Sequence, residues 1–240
     1  MLPRREAFFQ DVRNAVRLEE QPRVTIDSDV LSEDRISRAI QGAARWLAPK
    51  VVENYAPEDF GGWSEELKER LRLAVSTFKG LASPVASDQG RAREHFATAL
   101  AAFRTLTTAV REIVLTEWTL AVDKMLQEVE GWVEREGWRG RRVERKIRET
   151  LLGLYTLPQL QVFADADLYV LEPVARFVPG AAGAYDLSIQ PSYYLTALYR
   201  EFDGGWNIHR DINRGADSQK SEQWSADTFR ASLEELRSLV

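Results

Sequence analysis

The densest group of side chains able to bind a charged ligand lies in residues 134–149, with the sequence EREGWRGRRVERKIRE. Seven arginines and lysines stand there against four glutamates, a net charge of +3. Guanidinium and ammonium groups bind phosphates and carboxylates, and a tryptophan can stack on a nucleic-acid base. The candidate binding residues are Trp138, Arg139, Arg141, Arg142, Arg145, Lys146 and Arg148.

A helix is predicted to carry most of this cluster, from about residue 141 to about residue 152. On such a helix Arg141, Arg145 and Arg148 share one side, because residues three and four apart are neighbours on the surface. Two interpretations are open. The cluster is either a phosphate-binding surface, or a solvated helix face with pairs such as Arg145 with Glu149.

Three carboxylates form a second candidate set: Glu149 on the predicted helix, Asp186 in a strand after a glycine, and Glu201 near the end of the next strand. Carboxylate oxygens are ligands that suit Mg²⁺, which can activate water for hydrolysis. A metal-dependent site built on these acids is the catalytic alternative that the resemblance described next implies.

This order of elements, over residues 140–209, is similar to the restriction-endonuclease-like nuclease core. That family holds a divalent metal with an aspartate on one strand and an acid-x-lysine pair on the next. The resemblance implies Mg²⁺ and nucleic acid as ligands. The sequence departs from the pattern because Glu201 is followed by Phe202 and Asp203, with no lysine. The other interpretation of Asp186 is a solvated aspartate on a strand face.

The stretch GAAGAYDLSIQP, residues 180–191, predicts a turn followed by a strand. Tyr185, Leu187 and Ile189 alternate with polar residues, which is typical of an antiparallel strand with one wet face. A phosphate-binding loop would need a lysine and a helix after its glycines, and neither follows here.

One long helix is predicted from Arg91 to Arg135, where apolar residues recur every three or four positions around a single glycine and no proline. A second apolar stripe through Leu106, Ile113 and Leu120 predicts burial on more than one side. We interpret this helix as the spine of an N-terminal bundle, with further helices at residues 4–20 and after Ser32 and Ser64.

The C-terminal part of the chain is predicted to contain strands and one closing helix. Asp203 and Gly204 predict a hairpin with a type I′ turn, which requires positive φ angles. Ser225 is the expected N-cap of the last helix, whose apolar face uses Phe229, Leu233, Leu236 and Leu239.

Composition excludes several classes of function. The 240 residues include no cysteine, so disulfides, thiolate metal sites and cysteine nucleophiles are excluded, and a cytoplasmic location is expected. No apolar run approaches the ~20 residues of a membrane-spanning helix. The net charge of −5 gives no global attraction to nucleic acid, so any such affinity depends on a local patch.

These observations predict an α+β protein with two domains. Residues 1–136 are expected to form a helical bundle, and residues 137–240 a small, mainly antiparallel sheet flanked by helices. The expected function is a non-catalytic cytoplasmic interaction or regulatory protein that binds a protein partner or a second copy of itself, without a cofactor. The alternative is a nucleic-acid-binding protein, with the Mg²⁺-dependent nuclease as its catalytic form.

Overall fold

The computed structural model describes residues 4–20, 89–192, 194–210 and 220–240. These residues form three helices and seven strands. The helices are α1 (Arg4–Glu20), α2 (Gln89–Arg135) and α3 (Ala226–Ser238). The strands are β1 (Arg139–Glu149), β2 (Gly153–Ala164), β3 (Asp167–Ala175), β4 (Ala184–Gln190), β5 (Leu195–Arg200), β6 (Trp206–Arg210) and β7 (Lys220–Gln223).

The chain divides into two compact units, Met1–Val114 and Leu115–Val240. In the first unit, α1 buries Phe8, Phe9 and Val12, and the N-terminal part of α2 buries apolar residues up to Val114. The second unit contains the rest of α2, all seven strands and α3. Every candidate binding or catalytic residue belongs to this second unit.

The expected fold class was wrong. The main element of the described chain is a seven-stranded antiparallel sheet, and no helical bundle is seen among the described residues. The helices expected after Ser32 and Ser64 lie outside the described residues. The sheet begins at Arg139, so the charged segment that was expected to be helical is its first strand.

Helix α2 is a continuous helix of 47 residues, which confirms the long helix expected in this region. It ends at Arg135, and Gly137 follows with a φ of +73°, which is accessible to glycine without steric cost. The Gly137 and Trp138 N–H groups donate to the carbonyls of Glu134 and Val133, both at 3.0 Å, and so satisfy two of the last helical carbonyls. The prediction that a second apolar stripe is buried was wrong at Leu120, whose side chain is 65% exposed.

The sheet is a meander, with the strand order β1-β2-β3-β4-β5-β6-β7. All adjacent strands pair antiparallel. Leu160, Leu171 and Leu187 stand directly opposite one another on β2, β3 and β4, and all three are fully buried. We call the side that carries them the core face of the sheet, and the other side, which carries Arg141, the polar face.

Aromatic side chains join the core face to the helices. Trp118 of α2 stacks on Trp206 of β6, with ring centroids 5.8 Å apart, and Trp132 lies 5.5 Å from Trp224. The hydroxyl of Tyr169 donates to the carbonyl of Leu233 in α3 at 3.2 Å. Because each ring removes on the order of 150–250 Å² of surface from water, these contacts are a main source of stability in this unit.

Strand β4 confirms the turn-and-strand prediction. Tyr185, Leu187 and Ile189 are all buried on the core face. The turn before β4 brings Gly183 against the Trp118 ring, where an added Cβ would lie 2.4 Å from two ring carbons. Gly183 also has a φ of +148°. Glycine at residue 183 therefore allows close packing against Trp118, which explains the residue without a bound ligand.

Helix α3 begins as predicted. The Ser225 side chain accepts from the Thr228 N–H, and the Thr228 hydroxyl accepts from the Ser225 N–H, which forms a capping box. The hairpin between β5 and β6 is also confirmed, but its turn type is not. Gly204 has a φ of +96°, whereas Asp203 does not have the positive φ that a type I′ turn requires.

Candidate binding surface on strand β1

Strand β1 holds the cationic cluster in an extended conformation, so the predicted helix over residues 141–152 was wrong. All eleven residues of β1 pair with β2 in an unbroken register, from Arg139 opposite Phe163 to Glu149 opposite Gly153. Leu151 in the tight turn between the two strands has a φ of +77°, and Gly153, the first residue of β2, has a φ of +68°. Pairing with the long β2 strand stabilises the extended conformation of this segment more than its helical propensity stabilises a helix.

The extended conformation separates cations that a helix would have grouped. Successive side chains of a strand point to opposite faces. Arg139, Arg141 and Arg145 lie on one side of the strand, and Arg142, Lys146 and Arg148 lie on the other, where Lys146 and Arg148 stand opposite the exposed Thr156 and Leu154. The expected trio of Arg141, Arg145 and Arg148 is therefore split between the two sides.

Arg142 is directed toward helix α2 instead of solvent. Its guanidinium forms two hydrogen bonds of 2.7 Å with Glu130, and its Nη1 lies 2.5 Å from Asp123 Oδ1. The hydrogen bonds with Glu130 raise the pKa of Arg142 further above its usual range. Because both forks of the guanidinium are occupied, Arg142 fixes β1 to α2 and is not available to an external ligand.

On the polar face, Arg139 and Arg141 flank the ring of Phe163. Their guanidinium carbons lie 5.1 and 6.0 Å from the ring centroid, within the range of cation–π attraction. Arg141 also donates two hydrogen bonds to Gln161 Oε1, at 2.6 and 3.0 Å. Both guanidinium groups remain exposed, so these contacts orient the cations without neutralising them.

Arg145 pairs with Glu172 of β3 across the polar face, with Nη2 and Oε2 3.0 Å apart. The two side chains are 55% and 37% exposed. A pair with this exposure contributes about 0–1 kcal/mol and is weakened by salt, so an acidic ligand can compete with Glu172 for Arg145.

Among the cations of β1, Lys146 and Arg148 make the fewest interactions with other described side chains. Both are exposed, and no ion pair joins either of them to a carboxylate among the residues that the structure describes. Trp138 is half-buried where the chain passes from α2 to β1, and it is less accessible than the neighbouring Arg139.

The three candidate catalytic carboxylates have separate surroundings. Glu149 accepts the Tyr155 hydroxyl and the backbone N–H groups of Arg176 and Phe177, at 2.8 and 3.0 Å for the latter two. These bonds fix the end of β1 to the segment after β3. Burial is the main reason why the pKa of Tyr155 is raised, followed by its hydrogen bond to Glu149.

Asp186 lies on the polar face directly opposite Glu172, in the middle of the sheet. Burial, and then the negative charge of Glu172, raise the pKa of Asp186 from its ordinary value of 3.8 to about 6. Glu201 follows β5 and accepts a hydrogen bond of 3.1 Å from Asn207. Across the described ranges, no three acidic, histidine or cysteine side chains are grouped so that they could hold a metal ion.

Sequence reasoning missed Glu172, Gln161 and Phe163, which orient the arginines of the polar face. They lie on β2 and β3, 20 or more residues from the arginines they contact. The period-two alternation of β2 and β3 offered a signal, but using it required β1 to be recognised as a strand.

None of the helices in the described part of the chain is both long enough and apolar enough to span a membrane. Comparison of the chain with protein-family models, with curated protein sequences and with solved structures finds no match.

Proposed function

We propose that this protein is a non-catalytic interaction protein that binds an acidic polypeptide through strand β1. One observation carries the proposal: β1 bears six cations, five of them exposed, while its only two acids are Glu144 and Glu149. Glu149 is occupied by hydrogen bonds within the protein. The strand is therefore a local positive surface on a chain whose net charge is −5.

The distribution of the cations favours polypeptide over nucleic acid. One phosphate backbone can approach one face of a strand, whereas the exposed cations of β1 lie on both. On the polar face, Glu172 and Asp186 add negative charge near Arg145, which opposes a phosphate chain. An extended polypeptide directs alternate side chains to two faces and can use both sets of cations.

Such a surface binds its partner without a cofactor, and a cysteine-free sequence fits a cytoplasmic location. Electrostatic attraction gives such a surface fast association and a strong dependence on salt. Specificity would then come from the positions of the partner's carboxylates along the strand.

The test is a binding titration with a labelled, glutamate-rich peptide, repeated over a range of salt concentrations. The double variant Lys146→Glu/Arg148→Glu changes two exposed cations without removing an internal ion pair among the described residues. It should weaken peptide binding about tenfold at low salt, which corresponds to about 1.4 kcal/mol.

The matched control is Arg111→Glu/Lys124→Glu, which makes the same change of net charge at exposed positions of α2. The control should bind as the wild type does. Equal weakening in both double variants would show that net charge, not β1, governs binding. Tighter binding of duplex DNA than of peptide near physiological salt would replace this function with nucleic-acid binding.

A further inference from the structure

Strand β1 has one edge that no described strand pairs with. It lies first in the strand order, and β2 occupies its other edge over all eleven residues without a bulge. In an antiparallel strand, the N–H and C=O groups of every second residue point away from the partner. About half of the eleven residues of β1 therefore present backbone donors and acceptors at the outer edge.

A long, regular edge of this kind is a template for another strand, and charge determines which strand can use it. If a second copy paired antiparallel about Glu144, Arg142 would lie opposite Lys146, and Glu144 would lie opposite itself. Like charges directly opposite each other destabilise a pair of strands. The one opposite-charge pair of that register, Arg139 with Glu149, needs a carboxylate that already accepts the N–H groups of Arg176 and Phe177. In this register the charges therefore act against self-pairing and favour a strand of opposite charge.

We propose that an extended acidic segment of a protein partner adds to β1 as a further strand of the sheet. This inference rests on the proposed function and specifies how the partner binds. Backbone hydrogen bonds to the outer edge supply affinity, and carboxylates opposite Arg141, Lys146 and Arg148 supply selectivity. Side chains directly opposite across two strands have Cβ atoms about 4.5–5.5 Å apart, close enough for ion pairing.

The test is residue-resolved amide hydrogen exchange, measured by NMR on the full chain with and without peptide. The probe is a capped peptide of about ten residues in which glutamates are interspersed with valines. In the free protein, the amides of β1 should alternate between slow exchange, where they pair with β2, and fast exchange at the outer edge. The peptide should slow the fast set by up to about 100-fold at 100 times its Kd.

A peptide of the same sequence, N-methylated at every amide, is the matched control. It keeps the charge but cannot donate backbone hydrogen bonds, so it should bind at least about tenfold more weakly and leave the fast amides unprotected. If the unmethylated peptide binds while the outer amides stay fast, strand addition is wrong and the charge-based function stands.

Two other results would also overturn the inference. Failure of the unmethylated peptide to bind would contradict both strand addition and the proposed function. The outer amides could also be protected before any peptide is added. Together with a mass in solution twice that of one chain, that result would assign this edge to a second copy of the chain.

Discussion

Strands β4 and β1 belong to the same sheet but are held in place by different interactions. β4 pairs on both edges, and five of its seven residues are buried. β1 pairs on one edge among the described strands, and none of its eleven residues is fully buried. Apolar packing therefore holds β4, whereas β1 depends on its ladder with β2, on the ion pairs of Arg142 and on the hydrogen bonds of Glu149.

The difference shows what each strand can be used for. Altering the buried side chains of β4 would disturb the core, because they pack against the helix and the neighbouring strands. β1 tolerates changes at its exposed positions, since few of its side chains contribute to packing. A binding surface on β1 can therefore vary with little effect on folding, which is a common property of functional surfaces on rigid scaffolds.

The largest expected effect lies at the turn that leads into β4. Gly183→Ala would place a Cβ 2.4 Å from the Trp118 ring at a residue with a φ of +148°. Overpacking and backbone strain together should lower the free energy of unfolding by about 4 kcal/mol, as measured by urea denaturation. Gly180→Ala is the control, because its φ is +81° and nothing lies within 4 Å of the added Cβ.

Gly180→Ala should cost only about 1 kcal/mol, the strain of a positive φ. Equal losses in the two variants would mean that contact with Trp118 does not set the requirement for glycine at residue 183. That result would remove the packing difference on which the comparison of β4 with β1 depends.

A smaller effect is expected from the cation that fixes β1 to α2. Arg142→Gln leaves Glu130 and Asp123 without their guanidinium partner and should lower the free energy of unfolding by about 1.5 kcal/mol. Arg145→Gln, in the same strand, removes only an exposed pair and should cost less than about 0.5 kcal/mol. Similar costs for both variants, again from urea denaturation, would contradict the distinct role of Arg142.

The smallest effect concerns Asp186, the acid on the polar face of β4. Its pKa is about 6 in the folded protein and near 3.8 in an unfolded chain. Between these values the folded protein keeps the proton while the unfolded chain loses it, so the free energy of unfolding falls as the pH rises from about 4 to about 6. Above pH 6 the full penalty remains, because a charged carboxylate is then half-buried beside Glu172.

Asp186→Asn removes this penalty. The variant should match the wild type near pH 4 and exceed it by about 1 kcal/mol above pH 6, after allowance for solvent screening. Urea denaturation at a series of pH values measures the difference. Glu128→Gln, at an exposed position of α2, is the control for the loss of one negative charge. A gain for Asp186→Asn that is equal at all pH values would rule out ionisation as its cause.

The sequence predicted those elements whose residues carry a local signal of their own. The alternation of Tyr185, Leu187 and Ile189 identified β4, and Ser225 identified the start of α3. β1 carries no such signal, because exposed cations occupy both of its faces. A charged segment that follows a helix and two glycines fits a second helix as well as it fits a strand. Only the pairing with β2 makes this segment a strand.

The sequence alone shows that residues 139–148 hold the densest group of cations, but it does not show how their side chains are arranged. It could not show that Arg142 is directed inward, since Asp123 and Glu130 lie 19 and 12 residues away. Nor could it show that Asp186 faces Glu172, because this depends on the register between β3 and β4.

The meander order of the sheet has a consequence for how the second unit folds. Every strand pairs with the strand that follows it in the chain, so each pairing closes only the short segment between neighbours. Short closures cost little chain entropy, and low contact order is associated with fast folding for a β protein. The sheet can form by pairing one strand after another, and β1 at its end keeps an outer edge that no described strand covers.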